Sequence, residues 1–433
     1  MATVIQAYRF ALDPTPTQRR ALASHCGAAR VAYNWGLALV KTSLDQHQID
    51  PRVGVPSTLQ ELRWRWNRAK DQVAPWWAEN SKEAYSSGLD GLARALKNWS
   101  DSRSGRRKGP PIGFPRFKKK QRSRDACRFT TGQIKVLPDR KHIQLPRIGV
   151  LKTHESTRKL ARRLEQGTAR ILAATISRTA DRWFVSFTVK VERHMPASNG
   201  KTTVIGVDVG IRHLAVLSSG GPAIPNPRAL EDSMRKLRRL NREMARRRPN
   251  SRRRRLTRRR LARVHARAAN IRRDALHKLT TTLATEHGTV VVEHLNIAGM
   301  VCNRRIARAL VDTGMAEFRR LLSYKTTWYG SRLMVADRFY PSSKMCSTCD
   351  RVKAKLTLAE RTFQCEACGL RVDRDLNAAR NLAKLALYVA RSGRETPNAR
   401  GADRRTQHSG QVATKREASD PPDMFGEPGT VEP

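Results

Sequence analysis

The chain has 433 residues, with 85 Lys+Arg against 37 Asp+Glu and a formal net charge of +48. A chain of this length buries at least one substantial core and is expected to divide into two or three units, while a positive excess of this size repels itself unless a polyanion neutralises it, which points to many phosphates. It has no run of eighteen apolar residues, and MATVIQAYRF lacks the charged and apolar regions of a signal peptide, so no membrane partner is expected and a bacterial cytoplasmic location is, on the nucleoid while bound to DNA.

In chain order, YRFALDP reads as a strand and TPTQRRALASHCGAARVAYNWGLALV as a helix. Thr15 is placed to cap that helix, Pro16 suits its first position and Gln18 completes a capping box. Leu22, Cys26, Ala29, Tyr33, Leu37 and Val40 recur at spacings of three and four, which gives one buried face. More helix follows, carrying Trp64, Trp66, Trp76, Trp77 and Trp99. Tryptophans interleaved with Arg63, Arg65 and Arg68 serve either to stack on bases or to pack a core beneath a solvated face, and the sequence leaves both open.

The stretch SRSGRRKGPPIGFPRFKKKQRSRDACRF combines Gly, Pro, Lys and Arg as a flexible basic connector, and from about 128 to 194 the pattern becomes β. Val185, Phe187, Val189 and Val191 alternate with polar residues, a half-buried strand. Pairing of the first strand into this sheet across the helical insertion would make a small barrel.

A third region opens with TTVIGVDVG as a buried strand and HLAVLSSGG as a second. Two basic helical segments then flank RRRPNSRRRR, with Leu237, Leu240 and Met244 marking one apolar stripe and Leu261, Val264, Ala268, Ile271 and Ala275 the other. With Pro249 and Asn250 at the turn, these predict an antiparallel hairpin whose arginine density exceeds any need for solubility and so points to phosphate contact. TVVVEHL predicts another buried strand, MAEFRRLLSYKTTWYG a helix, RLMVADRFY a strand and residues 374 to 391 a closing helix; the remaining polar tail is expected to be disordered.

Four of the seven cysteines form two C-x2-C units, Cys346 with Cys349 and Cys365 with Cys368, separated by fifteen residues. Two-residue gaps let both thiolates of a knuckle face one ion, and two knuckles complete a tetrahedron, so one structural zinc with no open position for catalysis is expected. Cys26, Cys127 and Cys302 are scattered singles, read as small core hydrophobes.

Three acids stand where acids are costly: Asp208 within VIGVDVG, Glu293 at the end of TVVVE, and Asp375 in the first turn of the closing helix. A lone carboxylate in a buried strand requires a partner or a metal, and two such strands in one region point to a shared cation. Asp375 also has a simpler reading, since acids favour helix N-termini, and Asp373 could cap that helix. If the three converge they offer hard oxygen ligands for two Mg²⁺ ions, the arrangement that hydrolyses phosphodiesters. The order strand, strand, helices, strand, late helix is that of an RNase H-like fold. IGVDVG would also serve as the first phosphate loop of an ATP-using, kinase-like enzyme, but the second glycine-rich loop and adenosine motif of that fold are missing.

At these residues the sequence resembles the TnpB family, transposon-encoded RNA-guided DNA endonucleases related to type V CRISPR effectors. GVDVGIRHLAVLSSGG is similar to the first RuvC motif, VVVEHLNIAGM to the second and DRDLNAARNLA to the third; PSSKMCSTC with FQCEACG is similar to the family's zinc ribbon. YRFALDPTPTQRRALASHCGAARVAYNWGLAL and FPRFKKKQRSRDACRF match its opening motifs, so the resemblance spans about residues 1 to 392. It implies a multidomain α+β and α/β chain: a wedge-like β-barrel over 1–13 and 106–200, a helical recognition insertion over 14–105, a RuvC-like nuclease domain over 201–345 and 369–392, and an inserted zinc ribbon over 346–368, followed by the tail 393–433. It further implies Asp208, Glu293 and Asp375 as metal-binding catalytic acids, a guide RNA, double- and single-stranded DNA target, and a short target-adjacent motif. Arg116, Lys118, Lys119, Lys120 and Arg122, with Arg252, Arg253, Arg254 and Arg255, are the candidate nucleic-acid contacts. Asp350 departs from the family, which usually has glycine after the second cysteine. A non-catalytic regulator of transposition and a CRISPR effector are the alternative readings.

Overall fold

A computed structural model describes residues 2–120, 122–357 and 359–392; the predicted disordered tail lies outside the described residues. The chain divides into two compact units, one formed by Met1–His194 with Leu237–Ala266, the other by Met195–Lys236 with the residues from Arg267 on. No helix among the described residues is long and apolar enough to cross a membrane.

In the first unit, β1 (Ala2–Leu12) leads into α1 (Pro16–Ile49), α2 (Leu59–Val73) and α3 (Lys82–Arg103). Thr15 caps α1 in a full capping box with Gln18, as the sequence predicts, and all six residues of the predicted stripe from Leu22 to Val40 are buried. The strands β2 (Ala126–Phe129), β3 (Lys135–Val136), β4 (His142–Leu145) and β5 (Gly149–Lys152), the helix α4 (Arg158–Glu165) and the long strands β6 (Ala169–Thr179) and β7 (Arg182–Arg193) follow. β1 does pair antiparallel with β7 across the helical insertion, in the four-stranded order β1-β7-β6-β2. β3, β4 and β5 form a separate three-stranded sheet, joined to the first by a bridge between Leu12 and Thr153.

The tryptophans differ in exposure. Trp66 is buried, stacked on Tyr85 with ring centroids 5.1 Å apart, and Trp99 meets Phe114 edge-on at 4.9 Å. Trp64 is 58% exposed, with the Arg68 guanidinium 4.1 Å above its ring.

The second unit is built on the strands β8 (Val204–Asp208), β9 (His213–Leu217), β10 (Ile224–Pro225), β11 (Thr289–Glu293) and β12 (Arg332–Ala336). Their order is β10-β9-β8-β11-β12, with β8 antiparallel to β9 and parallel to β11, and β11 parallel to β12. Between β10 and β11 run α5 (Ala229–Asp232), α6 (Met234–Ala245) and α7 (Arg252–Glu286); α8 (Ile297–Val301), α9 (Ala307–Thr313) and α10 (Met315–Tyr329) precede β12. β13 (Thr362–Gln364) and β14 (Arg371–Asp373) make a hairpin, and α11 (Arg374–Ser392) closes the unit.

Strand parity sorts the core of this sheet into two faces. Ile205, Val207, Val290 and Val292 pack with Leu276, Leu279 and Leu283 of α7 and Phe318, Leu321 and Leu322 of α10. Val291 and Met334 pack on the other face with Leu382 and Ala386 of α11. Gly206 belongs to this second face, and a Cβ there would lie 2.0 Å from the Ala379 carbonyl oxygen and 2.6 Å from the Ala383 amide nitrogen.

Three expectations are corrected. RLMVADRFY is a strand only to Ala336, because the Asp337 carboxylate accepts the Phe339 amide at 2.9 Å and turns the chain, leaving Phe339 86% exposed. Ile271 is exposed, since the buried positions of α7 shift there from Val264 and Ala268 to Leu276, Leu279 and Leu283. Cys302 is exposed at the end of the five-residue α8, while Cys26 and Cys127 are buried as predicted.

A methyl group at Gly206 must push α11 off β8. Gly206→Ala is expected to cost about 3 kcal/mol, measured by chemical denaturation, as overpacking against an unyielding backbone does. Gly113→Ala, where an added Cβ meets nothing within 4 Å, is expected to stay within about 0.5 kcal/mol of the parent.

Candidate functional site

The two strand acids reach one place through pairing register. Val207 lies opposite Val292 in the parallel pair β8–β11, so Asp208 and Glu293 follow side by side at the two C-terminal ends. Both share parity with the residues under α11, and Asp375 stands in the first turn of that helix. Asp373 caps α11 by accepting the amides of Asp375 at 2.9 Å and Leu376 at 3.1 Å, which leaves the Asp375 carboxylate for other partners. Arg374 donates to Asp375 at 3.3 Å.

Burial, then Glu293, then Asp375 push Asp208 up to about 8, against the partial relief of the Arg374 charge. Burial also raises Glu293, opposed by a hydrogen bond from the Ser342 hydroxyl. Each of the other two acids therefore acts electrostatically on Asp208, and the Arg374 charge offsets them only in part. The three do not contract into one tight ligand cluster: among the described residues, the four cysteines are the group of three or more metal-ligating side chains whose ligand atoms lie within 4.8 Å of one another. Ions about 3.5 to 4 Å apart do not require all ligands to touch.

The cysteine cluster joins Cys346 and Cys349 to Cys365 and Cys368. Amides of Cys368 and Ala367 draw the Cys365 thiol down to about 6. Cys368, although the Leu370 amide favours its thiolate, is driven up to about 12 by desolvation and by hydrogen bonds with Cys346, Cys349 and Cys365. Asp350 and Gly369, each directly after the second cysteine of its knuckle, both have left-handed backbone, with φ of 61° and 74°. The departure at Asp350 thus keeps the turn that glycine favours, and its carboxylate accepts from Lys384 at 3.0 Å and Tyr388 at 2.8 Å on α11.

Two asparagines of α11, both fully buried, tie the helix to this knuckle. Asn377 donates to the Met345 carbonyl at 2.7 Å and accepts the Ser347 amide at 2.9 Å; Asn381 donates to the carbonyls of Ser342 at 2.7 Å and Met345 at 2.6 Å. Sequence reading missed this network, though Asn377 and Asn381, four apart on the apolar face of DLNAARNLA, are its visible signal. Ser342, in a polar run, carries none.

The basic candidates are mostly open to solvent: Arg116, Lys119, Lys120, Arg122, Arg252, Arg253 and Arg255 are exposed. Two are corrected. Arg254 is half-buried and donates to the carbonyls of Met244 at 2.7 Å and Arg247 at 2.8 Å, closing the hairpin turn. Lys118 is half-buried with its ammonium 3.7 Å over the Tyr33 ring, and its backbone is clasped by Asn34.

A protein of Mycobacterium tuberculosis with the printed name "Putative RNA-guided DNA endonuclease Rv2885c" is 42% identical over 428 residues, covering 93% of this chain and 91% of that one. The chain belongs to the TnpB family. The Escherichia coli relative InsQ, of the same designation, is 27% identical over 87% of this chain and 91% of its own length. A mimivirus protein named "TnpB-like protein L79" matches 44% of this chain at 26% identity, 38% of its own length. The family described as "Probable transposase" matches residues 186–304, and a "Cas12f1-like, TNB domain" matches 316–382, which contains the cysteine cluster. A "Helix-turn-helix domain" family matches 1–48, where this TnpB chain has instead a strand and a single long helix. A solved Cas12f1–sgRNA–target DNA complex aligns with 88% of this chain and 99% of its own at 13% identity and a TM-score of 0.49.

An acid whose pKa is higher folded than unfolded keeps its proton longer in the fold. Its penalty on stability is absent below the ordinary value of 3.8 and grows until the pH passes about 8. Metal-free protein is expected to lose stability across that window, and Asp208→Asn to unfold about 3 °C or more above the parent at the upper end while matching it at the lower, by calorimetry in chelator.

Proposed function

We propose that this chain is an RNA-guided DNA endonuclease that hydrolyses target phosphodiesters at a single RuvC-like centre formed by Asp208, Glu293 and Asp375. The observation that carries the reading is the convergence of the three acids: two at adjacent ends of parallel strands and the third in the helix that crosses them, close enough that both others raise Asp208. Relatives that match nearly the whole chain bear the name of RNA-guided DNA endonucleases. The strand order, with the antiparallel pairs β10–β9 and β9–β8 followed by the parallel neighbours β11 and β12, supports an RNase H-like assignment of the second unit. In the first unit we read the two sheets joined at Leu12–Thr153 as the wedge-like barrel and α1 to α3 as the recognition insertion.

A trio of acids gathered at a buried sheet edge, where burial and the other two raise Asp208, fits divalent cations, and Asp208, Glu293 and Asp375 would hold them. Bound Mg²⁺ supplies activation of water and stabilisation of the leaving oxygen. Of the protein's own residues, Ser342 donates to Glu293 and Arg374 donates to Asp375. The four cysteines would hold one zinc, for which a tetrahedral thiolate set is the ordinary structural site. Sequence would be read by base pairing with the guide RNA, and the exposed arginines of the hairpin and of RFKKKQRSR would contact phosphates of RNA and DNA.

Asp208→Ala is expected to lower Mg²⁺-dependent cleavage of guide-matched DNA by about 1,000-fold or more, as loss of a group acting within a catalytic unit does, while binding of guide and target changes by less than about twofold. Sequencing the copurified RNA supplies the guide for that assay. Cleavage by the Asp208→Ala protein at the parent's rate would remove the assignment, and a parent that holds RNA yet never nicks matched DNA would leave a non-catalytic binder.

A further inference from the structure

Ser342 lies in the segment between β12 and the first cysteine knuckle and is 2% exposed. Its hydroxyl donates to Glu293 Oε1. Its amide donates to the Tyr340 carbonyl at 2.8 Å, and its carbonyl accepts from Asn381 at 2.7 Å. The same Asn381 side-chain nitrogen donates to the Met345 carbonyl, immediately before Cys346, and Tyr340 donates its hydroxyl to the Asn381 carbonyl at 3.0 Å. Serine at this position is therefore held through both backbone groups, and its side chain spends that rigidity on one carboxylate oxygen. Glu293 Oε2 makes no hydrogen bond with the described residues.

We propose that Ser342 is a positioning residue for Glu293: it fixes the carboxylate rotamer so that the second oxygen is presented to a divalent cation, and the cysteine knuckle holds Ser342 in place through Asn381. The inference rests on the proposed metal centre. A free glutamate at a strand end has several rotamers and, buried beside Asp208, gains by turning away. The hydroxyl removes that freedom, and Asn381, four residues along α11 from the Asn377 that also clasps Met345, locks the segment to the helix that bears Asp375. Carboxylate ligands held by such outer hydrogen bonds lose about 10- to 100-fold in metal affinity when the partner is removed.

The test uses the full chain with its copurified RNA and Mn²⁺ as the probe, titrated by electron paramagnetic resonance, alongside the Mg²⁺ dependence of cleavage. Ser342→Ala is expected to weaken Mn²⁺ binding about 10-fold and to raise the Mg²⁺ needed for half-maximal cleavage by the same factor, with most of the rate recovered at saturation. Ser342→Thr, which keeps the hydroxyl, is expected to stay within about threefold of the parent, and Ser342→Val, nearly identical to threonine in shape, to behave like alanine. The Thr and Val pair carries the comparison if the alanine variant does not fold. Metal titrations that coincide for threonine and valine overturn the proposal, whatever their thermal stabilities, as does a parent that binds no Mn²⁺. A parent whose Mn²⁺ binding depends on Ser342 in this way, but which cuts no DNA, supports the positioning role and removes the nuclease reading instead.

Discussion

At Gly206 the backbone of β8 meets the Ala379 carbonyl and Ala383 amide of α11 with no side chain between them. From that crossing, Asp208 lies two residues along the strand, about 6.6 Å at the usual rise, and Asp375 one turn back along the helix, about 6 Å. The two steps are matched, so both acids arrive at the same edge of the sheet. Any side chain at the crossing would lift the helix and with it one ligand of the proposed centre. Alanines at 378 and 379, both buried, serve the same close approach from the helix side. The third acid is brought in by the parallel pairing of β8 with β11, which needs no further device.

Gathering the acids is unfavourable in itself, as the elevated Asp208 shows, and the stability that tolerates it is drawn from elsewhere in the unit. The face of the sheet away from α11 is closed by leucines and Phe318 from α7 and α10, a continuous apolar core with the greatest burial in the unit. The face toward α11 has a smaller apolar cluster and carries the polar machinery: the acids, Ser342 and the two asparagines. One face holds the sheet together and the other is left with unfavourable electrostatics that the proposed cations would relieve. Three bonds of the buried asparagine pair go to the knuckle backbone, which ties α11 to it, while the Asn381 Oδ1 is buried without a hydrogen-bond partner among the described residues.

Much of this was readable from residue order. The capping box at Thr15, the stripe from Leu22 to Val40, the alternation in β7 and the three buried strands each follow from short-range pattern, and short-range pattern survives folding when the partner surface is simply apolar. The two C-x2-C units stated their own geometry. What stayed hidden depends on a partner distant in sequence. Nothing in PSSK marks Ser342 as the residue beneath Glu293, forty-nine positions earlier. Ile271 broke the expected stripe because a long helix changes the surface it packs against, and β12 ended early because an aspartate side chain, not a glycine or proline, made the turn. Asp350 carries a positive φ without glycine because Lys384 and Tyr388 hold its carboxylate, a compensation that local propensity cannot express.

Charge is where composition is least literal. Of the four arginines Arg252 to Arg255, one is half-buried and donates to carbonyls at and just beyond the end of α6, and Arg247 does similar work by donating to the Arg253 carbonyl at 2.6 Å and to Thr257. A guanidinium bridges two carbonyls because its donors are fixed in a fork; an ammonium offers a point charge and holds such a turn less firmly. The hairpin thus uses some arginines to fold, and that folding is what keeps the remaining ones in a fixed exposed array. A disordered basic arm of the same composition would lose more conformational entropy on meeting a phosphate backbone, so the internal arginines would support the proposed contact with nucleic acid without making it.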